Sequence, residues 1–448
     1  MSLPGNATSR ILMGVLSALF VLASACEPNR PPPLDGNPPP PPVKNPSDNQ
    51  DGGTPSDGGL VIPSDGSSFA AKPSCESGAT CEGACPDGST RCAGNCGFLA
   101  PVEYAFAGDP TAIAVGDLND DGRADIVTAN NDGRSVAVLL NQGEGRFQKP
   151  SLWAAGKDPS VVALVDLDGD DNLELLVANS GDSTLGVYRG KGKASFHAPV
   201  TYAAGDLNLN DLAVADFGAG SMSVALVRGS AGKLSLFHVN DDGSLQKAVD
   251  SPASVNPYAM VVADLDGNGS RDIALSYPAR CSAPTEKSCQ SVGVLLNNGN
   301  GTFQEQRFTS TGGTPRGLVA ADFDSDTLLD LAVADASNNQ VLVLRGRRDG
   351  SFYAPTAYAV GKAPSRMVLA DINRDSVQDL LVTSATGNQV SLLMGQPGGT
   401  FAQQVPITAL PQDMELQGLM VSDFDKDRAQ DLAVLTHNGI QMLWGSCR

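Results

Sequence analysis

"DLDGNGSRD", residues 264–272, puts Asp264, Asp266, Asn268 and Asp272 at its first, third, fifth and ninth positions. Glycines stand between them, where a chain that gathers those side chains must turn. Oxygen donors at this spacing suit calcium, which takes roughly six to eight hard oxygen ligands at about 2.3–2.6 Å. Asp, Asn and Gly also favour plain turns. The motif therefore decides the fold only if it recurs.

It recurs. "DLNDDGRAD" begins at Asp117, "DLDGDDNLE" at Asp166, "DFDSDTLLD" at Asp322, "DINRDSVQD" at Asp371 and "DFDKDRAQD" at Asp423. The first two add Asp117, Asn119, Asp121 and Asp125, then Asp166, Asp168, Asp170 and Glu174, as candidate metal ligands. The others add Asp322, Asp324, Asp326 and Asp330; Asp371, Asn373, Asp375 and Asp379; and Asp423, Asp425, Asp427 and Asp431. A seventh copy, "DFGAGSMSV" from Asp216, keeps the frame but offers Gly218, Gly220 and Val224 later on, and is expected to bind nothing. The starts lie 49, 50, 48, 58, 49 and 52 residues apart. Six acid-patterned copies in register are a repeat architecture, not isolated turns.

The charge agrees. Of the 50 acidic residues, 21 occupy ligand positions, where three or four carboxylates per loop repel one another without a cation. Six calcium ions would bring the formal charge from −20 to −8. Gly122 and Gly269 ease the bend after position five. Asp171, Thr327, Ser376 and Arg428 take that place elsewhere, which predicts looser loops.

Each copy has the same surroundings. An apolar strand precedes it ("TAIAVGD", "RGLVAAD") and a second follows ("IVTAN", "LLVAN"). A third comes next ("SVAVLLN", "QVLVLRG"), then a Gly-rich turn ending in Phe ("GEGRF", "PGGTF"), then a short fourth strand leading to Gly ("PTAYAVG"). Four strands in about 50 residues, seven times over, predict an all-β, seven-bladed β-propeller. The repeat resembles the FG-GAP and VCBS family, over about residues 97–448. That resemblance implies that the loop joins strands one and two of each blade and holds Ca2+, at up to six sites here.

The expected domains are a signal peptide (1–25), a tether (26–74), a Cys-rich segment (75–96) and the propeller (97–448). "ILMGVLSALFVLASA" is apolar, too short for a comfortable membrane span, and ends in small residues before Cys26. "LASAC" resembles the lipobox of bacterial lipoproteins, with Cys26 as the lipidated residue and Ala23 standing where Leu is usual. The reading is of an exported protein, lipid-anchored at a bacterial membrane or cell surface; the alternative is a secreted or periplasmic one. "PNRPPPLDGNPPPPPV" has almost nothing to bury and reads as a stiff spacer.

Apart from Cys26 there are eight cysteines, which suits disulfides in an exported chain. Cys281 and Cys289 flank an insertion in the fourth repeat and are expected to pair across its neck. The last repeat stops in its third strand, "IQMLWGSCR", and "GFLAPVEYAFAG" from Gly97 matches a fourth strand with its Phe. The N-terminal segment should therefore complete the last blade. Aligning both ends on "LVLRGRRDGSF" places Cys447 and Cys96 within one turn, which predicts a Cys96–Cys447 bond. Cys75, Cys81, Cys85 and Cys92 would form two further pairs of open connectivity.

No G-x-S-x-G, H-E-x-x-H or P-loop occurs, and His197, His238 and His437 lie in unrelated contexts. Nothing nominates a nucleophile with its base. The expected function is a calcium-stabilised binding or scaffold propeller, non-enzymatic and monomeric. The alternatives are a propeller-based polysaccharide lyase or hydrolase, and a lectin. A negative charge of this size argues against nucleic acid. A protein or carbohydrate partner is expected on the face opposite calcium, where Lys157, Arg316 and Lys362 form a basic rim; the membrane is reached only through the lipid.

Overall fold

Val, Ala, Leu and Ile in near-continuous runs make strands buried on both faces. The second strands are of this kind: every residue of Asp125–Asn130, Glu174–Asn179, Asp330–Asp335 and Asp431–Thr436 is buried. The computed structural model describes residues 96–447, except 107, 206–207, 219, 230–231, 255, 279–289, 408–409 and 411–414. Within them lie seven four-stranded antiparallel sheets. Blades one to six use four strands in chain order.

The first strands begin at Pro110, Pro159, Leu209, Met260, Pro315, Pro364 and Leu416. Each touches the first strand of the blade before and after, and the last touches the first. These seven strands therefore form the inner wall of a closed ring. The apolar core is split accordingly into seven layers, each between two adjacent blades. Tyr104, Ile113, Phe147, Phe424 and Trp444 fill the layer between blades seven and one.

The ring closes as the repeat arithmetic requires. Val102–Ala105 pairs with Gly439–Leu443 as the fourth strand of blade seven, with Tyr104 opposite Ile440. Tyr104 is buried, donates its hydroxyl to Gly145 O (2.8 Å) and meets Phe147 edge-on at 5.4 Å between centroids. A second pairing joins Cys96–Phe98 to Gly445–Cys447, with Phe98 opposite Gly445 and Cys96 opposite Cys447. Inside other blades the same ribbon forms from one continuous turn: Asn141 faces Phe147, Gly346 faces Phe352 and Gly395 faces Phe401. The two chain ends thus rebuild a turn that elsewhere is one peptide.

For Cys96 and Cys447 the description stops at the backbone. Cys26, Cys75, Cys81, Cys85, Cys92, Cys281 and Cys289, with the leader and tether, lie outside the described residues. Among the described residues no helix is long and apolar enough to cross a membrane.

Candidate functional site

The acid loops sit between strands one and two of six blades, all on one face of the ring. Position two of the loop fixes it to the core. Leu118, Leu167, Phe217, Leu265, Phe323, Ile372 and Phe424 are all buried, one per blade. Position one then folds the loop onto itself. Asp264 accepts N–H from Asn268 (3.0 Å) and Gly269 (2.8 Å), and Asp117, Asp322 and Asp371 make the same pair of bonds.

Position six is left-handed in every acid loop. Gly122 and Gly269 have φ of 77° and 88°, as glycine allows, but Asp171 (67°), Thr327 (75°), Ser376 (67°) and Arg428 (74°) follow them. The four non-glycine loops take the same left-handed turn, held by the position-one carboxylate on the N–H of position six. A β-branched Thr at positive φ is a strained residue.

Position nine, the first residue of strand two, is a buried clamp. Asp272 accepts Leu265 N–H on Oδ2 and Asn297 N–H on Oδ1, both at 2.8 Å. Asp125 does the same with Leu118 and Asn141, and Asp379 with Ile372 and Gly395. Glu174, Asp330 and Asp431 repeat the pattern. Each clamp ties its loop to the turn after strand three. Burial pushes Asp125, Glu174 and Asp379 up to about 7, and Asp272 and Asp330 up to about 6, against the opposing pull of those N–H bonds. Like charges at positions one and three or five push the same way.

Four loops gather three carboxylates with oxygens within 4.8 Å of one another: Asp166, Asp168 and Glu174; Asp264, Asp266 and Asp272; Asp322, Asp324 and Asp330; Asp423, Asp425 and Asp431. In the loops from Asp117 and Asp371, position three is an amide, Asn119 or Asn373. Position five also braces its own loop. Asp121, Asp170, Asn268, Asp326, Asp375 and Asp427 each accept the N–H two residues on, at 2.7–2.9 Å.

These clusters fit a hard cation. Asp168 Oδ1, Asp324 Oδ1 and Asp423 Oδ1 are buried and accept no hydrogen bond in the structure. A buried carboxylate oxygen without a donor is costly, and a cation in the cluster supplies what is missing. Asp168 is held above its ordinary carboxylate value by burial, then by Asp170. Blade five adds a competitor that the sequence reading missed: Arg345 pairs with Asp324 and donates to Gly398 O and Gly399 O. The "YRG" and "LRG" ends of strand three, at Arg189 and Arg345, were its available signal.

The third copy is built differently from its expected alignment. Ser223, not Val224, stands opposite Ala215, the residue just before the motif, where Asp272 faces Ala263 in blade four. Its loop is one residue shorter. Ser223 is buried and hydrogen-bonds His238 Nδ1 at 2.9 Å instead of clamping the loop. His437 bonds Asp109 Oδ1 (2.7 Å) and Glu415 Oε2 (3.2 Å) at the opposite face, half exposed, an arrangement without a nucleophile.

The family description "FG-GAP-like repeat" matches residues 117–177, 285–333 and 322–382, which hold the acid loops from Asp117, Asp166, Asp322 and Asp371. The chain is a β-propeller that carries FG-GAP-like repeats. Solved structures agree on the fold of this FG-GAP propeller. A structure of BBS1N in complex with ARL6DN, soaked with lead, is 13% identical, with TM-score 0.55, covering 77% of this chain and 96% of that one. A streptogramin B lyase is 13% identical at TM-score 0.52, covering 80% and 100%. Virginiamycin B lyase from Staphylococcus aureus is 11% identical at 0.51, covering 78% and 98%. At such identities the likeness shows the fold alone. No curated protein matches the sequence.

Proposed function

We propose that this FG-GAP propeller is a calcium-stabilised, non-enzymatic binding module displayed at a bacterial cell surface. The observation that carries the calcium reading is the set of buried, donor-less oxygens at Asp168, Asp324 and Asp423 within carboxylate clusters. Positions one, three and nine would hold the ion, with position five, main-chain carbonyl groups or water completing the shell. The ion would supply positive charge and fix the loop; the chain's own carboxylates position it.

Anchoring would run through a lipid on Cys26 and the spacer behind it. A Cys96–Cys447 bond would lock the second closure pairing, whose backbone register places these residues opposite each other. The face opposite the acid loops would be the one presented to a protein or carbohydrate ligand. Two lyases share the fold, but at 11–13% identity they lend no chemistry to this chain.

Melting curves test the reading. A chelator should lower Tm and calcium at about 10⁻³ M should restore it, since extracellular calcium modules bind at about 10⁻⁴–10⁻³ M. A curve indifferent to both rejects the metal assignment. Peptide mapping without reduction tests the closure: Cys447 found free, or joined to Cys281 or Cys289, rejects it.

A further inference from the structure

At the metal-remote end of the inner wall, the second residue of the first strand normally stitches blades together. Thr111 Oγ1 donates to Pro159 O, Ser160 Oγ to Leu209 O and Asn210 Nδ2 to Pro257 O, each at 2.7 Å and each into the next blade. In blades four and five the corresponding residues are Tyr258 and Arg316, and their side chains turn to each other. Arg316 Nη1 donates to Tyr258 Oη (3.3 Å), and its guanidinium carbon lies 5.1 Å from the ring centroid. Arg366, from blade six, brings its guanidinium carbon to 5.3 Å of the same ring. Blades four and six are not neighbours, so they meet only across the inside of the ring. Gly317 helps: a Cβ there would lie 2.5 Å from Ser365 O, so glycine lets blade six approach closely beside Arg366.

The charges do not balance. Among the described residues neither guanidinium has a carboxylate at ion-pair distance. Asp211 is the acid whose field reaches both Arg366 and Tyr258. It is 2% exposed, and its two oxygens accept N–H from Leu212 (2.9 Å) and Met260 (2.8 Å). Burial pushes it up to about 7 even though Arg366 pulls the other way, so it offsets the two cations only in part at neutral pH.

We infer that Arg316, Arg366 and the Tyr258 hydroxyl form a carboxylate site that takes a Glu or Asp side chain of an acidic peptide. The guanidinium fork matches two carboxylate oxygens. The phenol accepts from Arg316, which leaves its own proton to donate. Two guanidinium groups already lie over the Tyr258 ring, where a sugar would have to stack; a side-chain carboxylate needs no aromatic face. The inference deepens the ligand-face reading above and rests on it for the partner.

Calorimetric titration of the calcium-loaded full chain with N-acetylglutamate amide, glucuronate and sulfate at matched ionic strength tests it. N-acetylglutamate amide should bind best. Arg366→Gln and Arg316→Gln should each weaken it about tenfold or more, as for a lost charged hydrogen bond. Arg366→Lys should recover only part. Tyr258→Phe keeps the ring and should weaken binding a few-fold, which guards against loss of folding in the arginine variants. Sulfate or glucuronate binding as tightly, or affinity unchanged in Arg366→Gln, overturns the assignment. A flat titration with calcium stabilisation intact rejects this site and leaves the calcium reading standing.

Discussion

The loops from Asp216 and Asp264 lie in adjacent blades and differ in nearly every residue a cation needs. In blade four, Asp264, Asp266 and Asp272 cluster, and Asp272 clamps two backbone N–H groups. In blade three, Gly218 and Gly220 replace the middle donors and Ser223 replaces the clamp. Yet both hairpins form, both bury their second residue (Phe217 and Leu265), and the two are joined: Asn297 Nδ2 of blade four donates to Phe217 O of blade three at 3.0 Å. Asn141 makes the same stitch from blade one to Phe424 O of blade seven. The apolar residue at position two therefore carries the fold of the loop. The carboxylates are an addition, and without a cation they are a burden of repulsion and desolvation.

That division can be broken most forcefully at position two. Phe217→Ala should cost about 3–5 kcal/mol and Leu265→Ala about 2–5 kcal/mol in urea unfolding with calcium present. Both side chains are fully buried, so both loops should suffer. If the blade-four variant is spared while the blade-three variant is not, the fold of the loop depends on its acids after all.

The clamp should separate the two blades. Asp272→Ala strands the buried N–H groups of Leu265 and Asn297, at about 1–3 kcal/mol each. Ser223→Ala removes one side-chain bond, worth about 1 kcal/mol. Calcium counting should follow: one ion fewer for Asp272→Ala or Asp264→Ala, none fewer for Ser223→Ala or Asp216→Ala. Equal stoichiometry across the four variants would erase the distinction.

Acidity sharpens it further. The clamps of blades one, two, four, five and six titrate at about 6 to 7 in the folded chain, above the ordinary 3.8 for Asp and 4.5 for Glu. A raised folded value favours the fold below the ordinary value, and that contribution is lost as pH rises through the folded one. Metal-free protein should therefore melt at a lower temperature at pH 8 than at pH 5. In calcium the trend should reverse, because the ion binds the deprotonated carboxylates. Parallel trends with and without calcium would count against the clusters as metal sites.

The smallest effect is expected at position six. Thr327 holds φ of 75° where blade four has Gly269. Thr327→Gly should relieve strain worth about 1–2 kcal/mol, less the chain entropy that glycine adds. The net gain should be under about 1 kcal/mol and independent of calcium. A loss would mean that the threonine side chain contributes something its backbone does not reveal.

Much of this protein was legible along the chain. The period of about 50 residues fixed the number of blades, because each motif marks one strand-one to strand-two turn. The mismatch between an unfinished last repeat and a surplus strand after Gly97 fixed the closure, because a ring admits no open edge. Acid spacing named the candidate ligands, since a tight loop aims alternate side chains inward. What the sequence could not supply was burial and long-range company. It marked position nine as a ligand, but not that the residue is a buried clamp, because the N–H partners come from a turn 14 to 25 residues away. It placed Val224 where the shorter third loop puts Ser223, since register is decided by strand pairing and not by counting. It set Arg316 on a solvated rim with Lys157 and Lys362. Tertiary structure turned it inward beside Tyr258 and Arg366, residues from three different repeats. Tyr258 and Arg316 hold one position of successive repeats and Arg366 lies one place further along its strand, so only the curvature of the closed ring brings them within reach of one another.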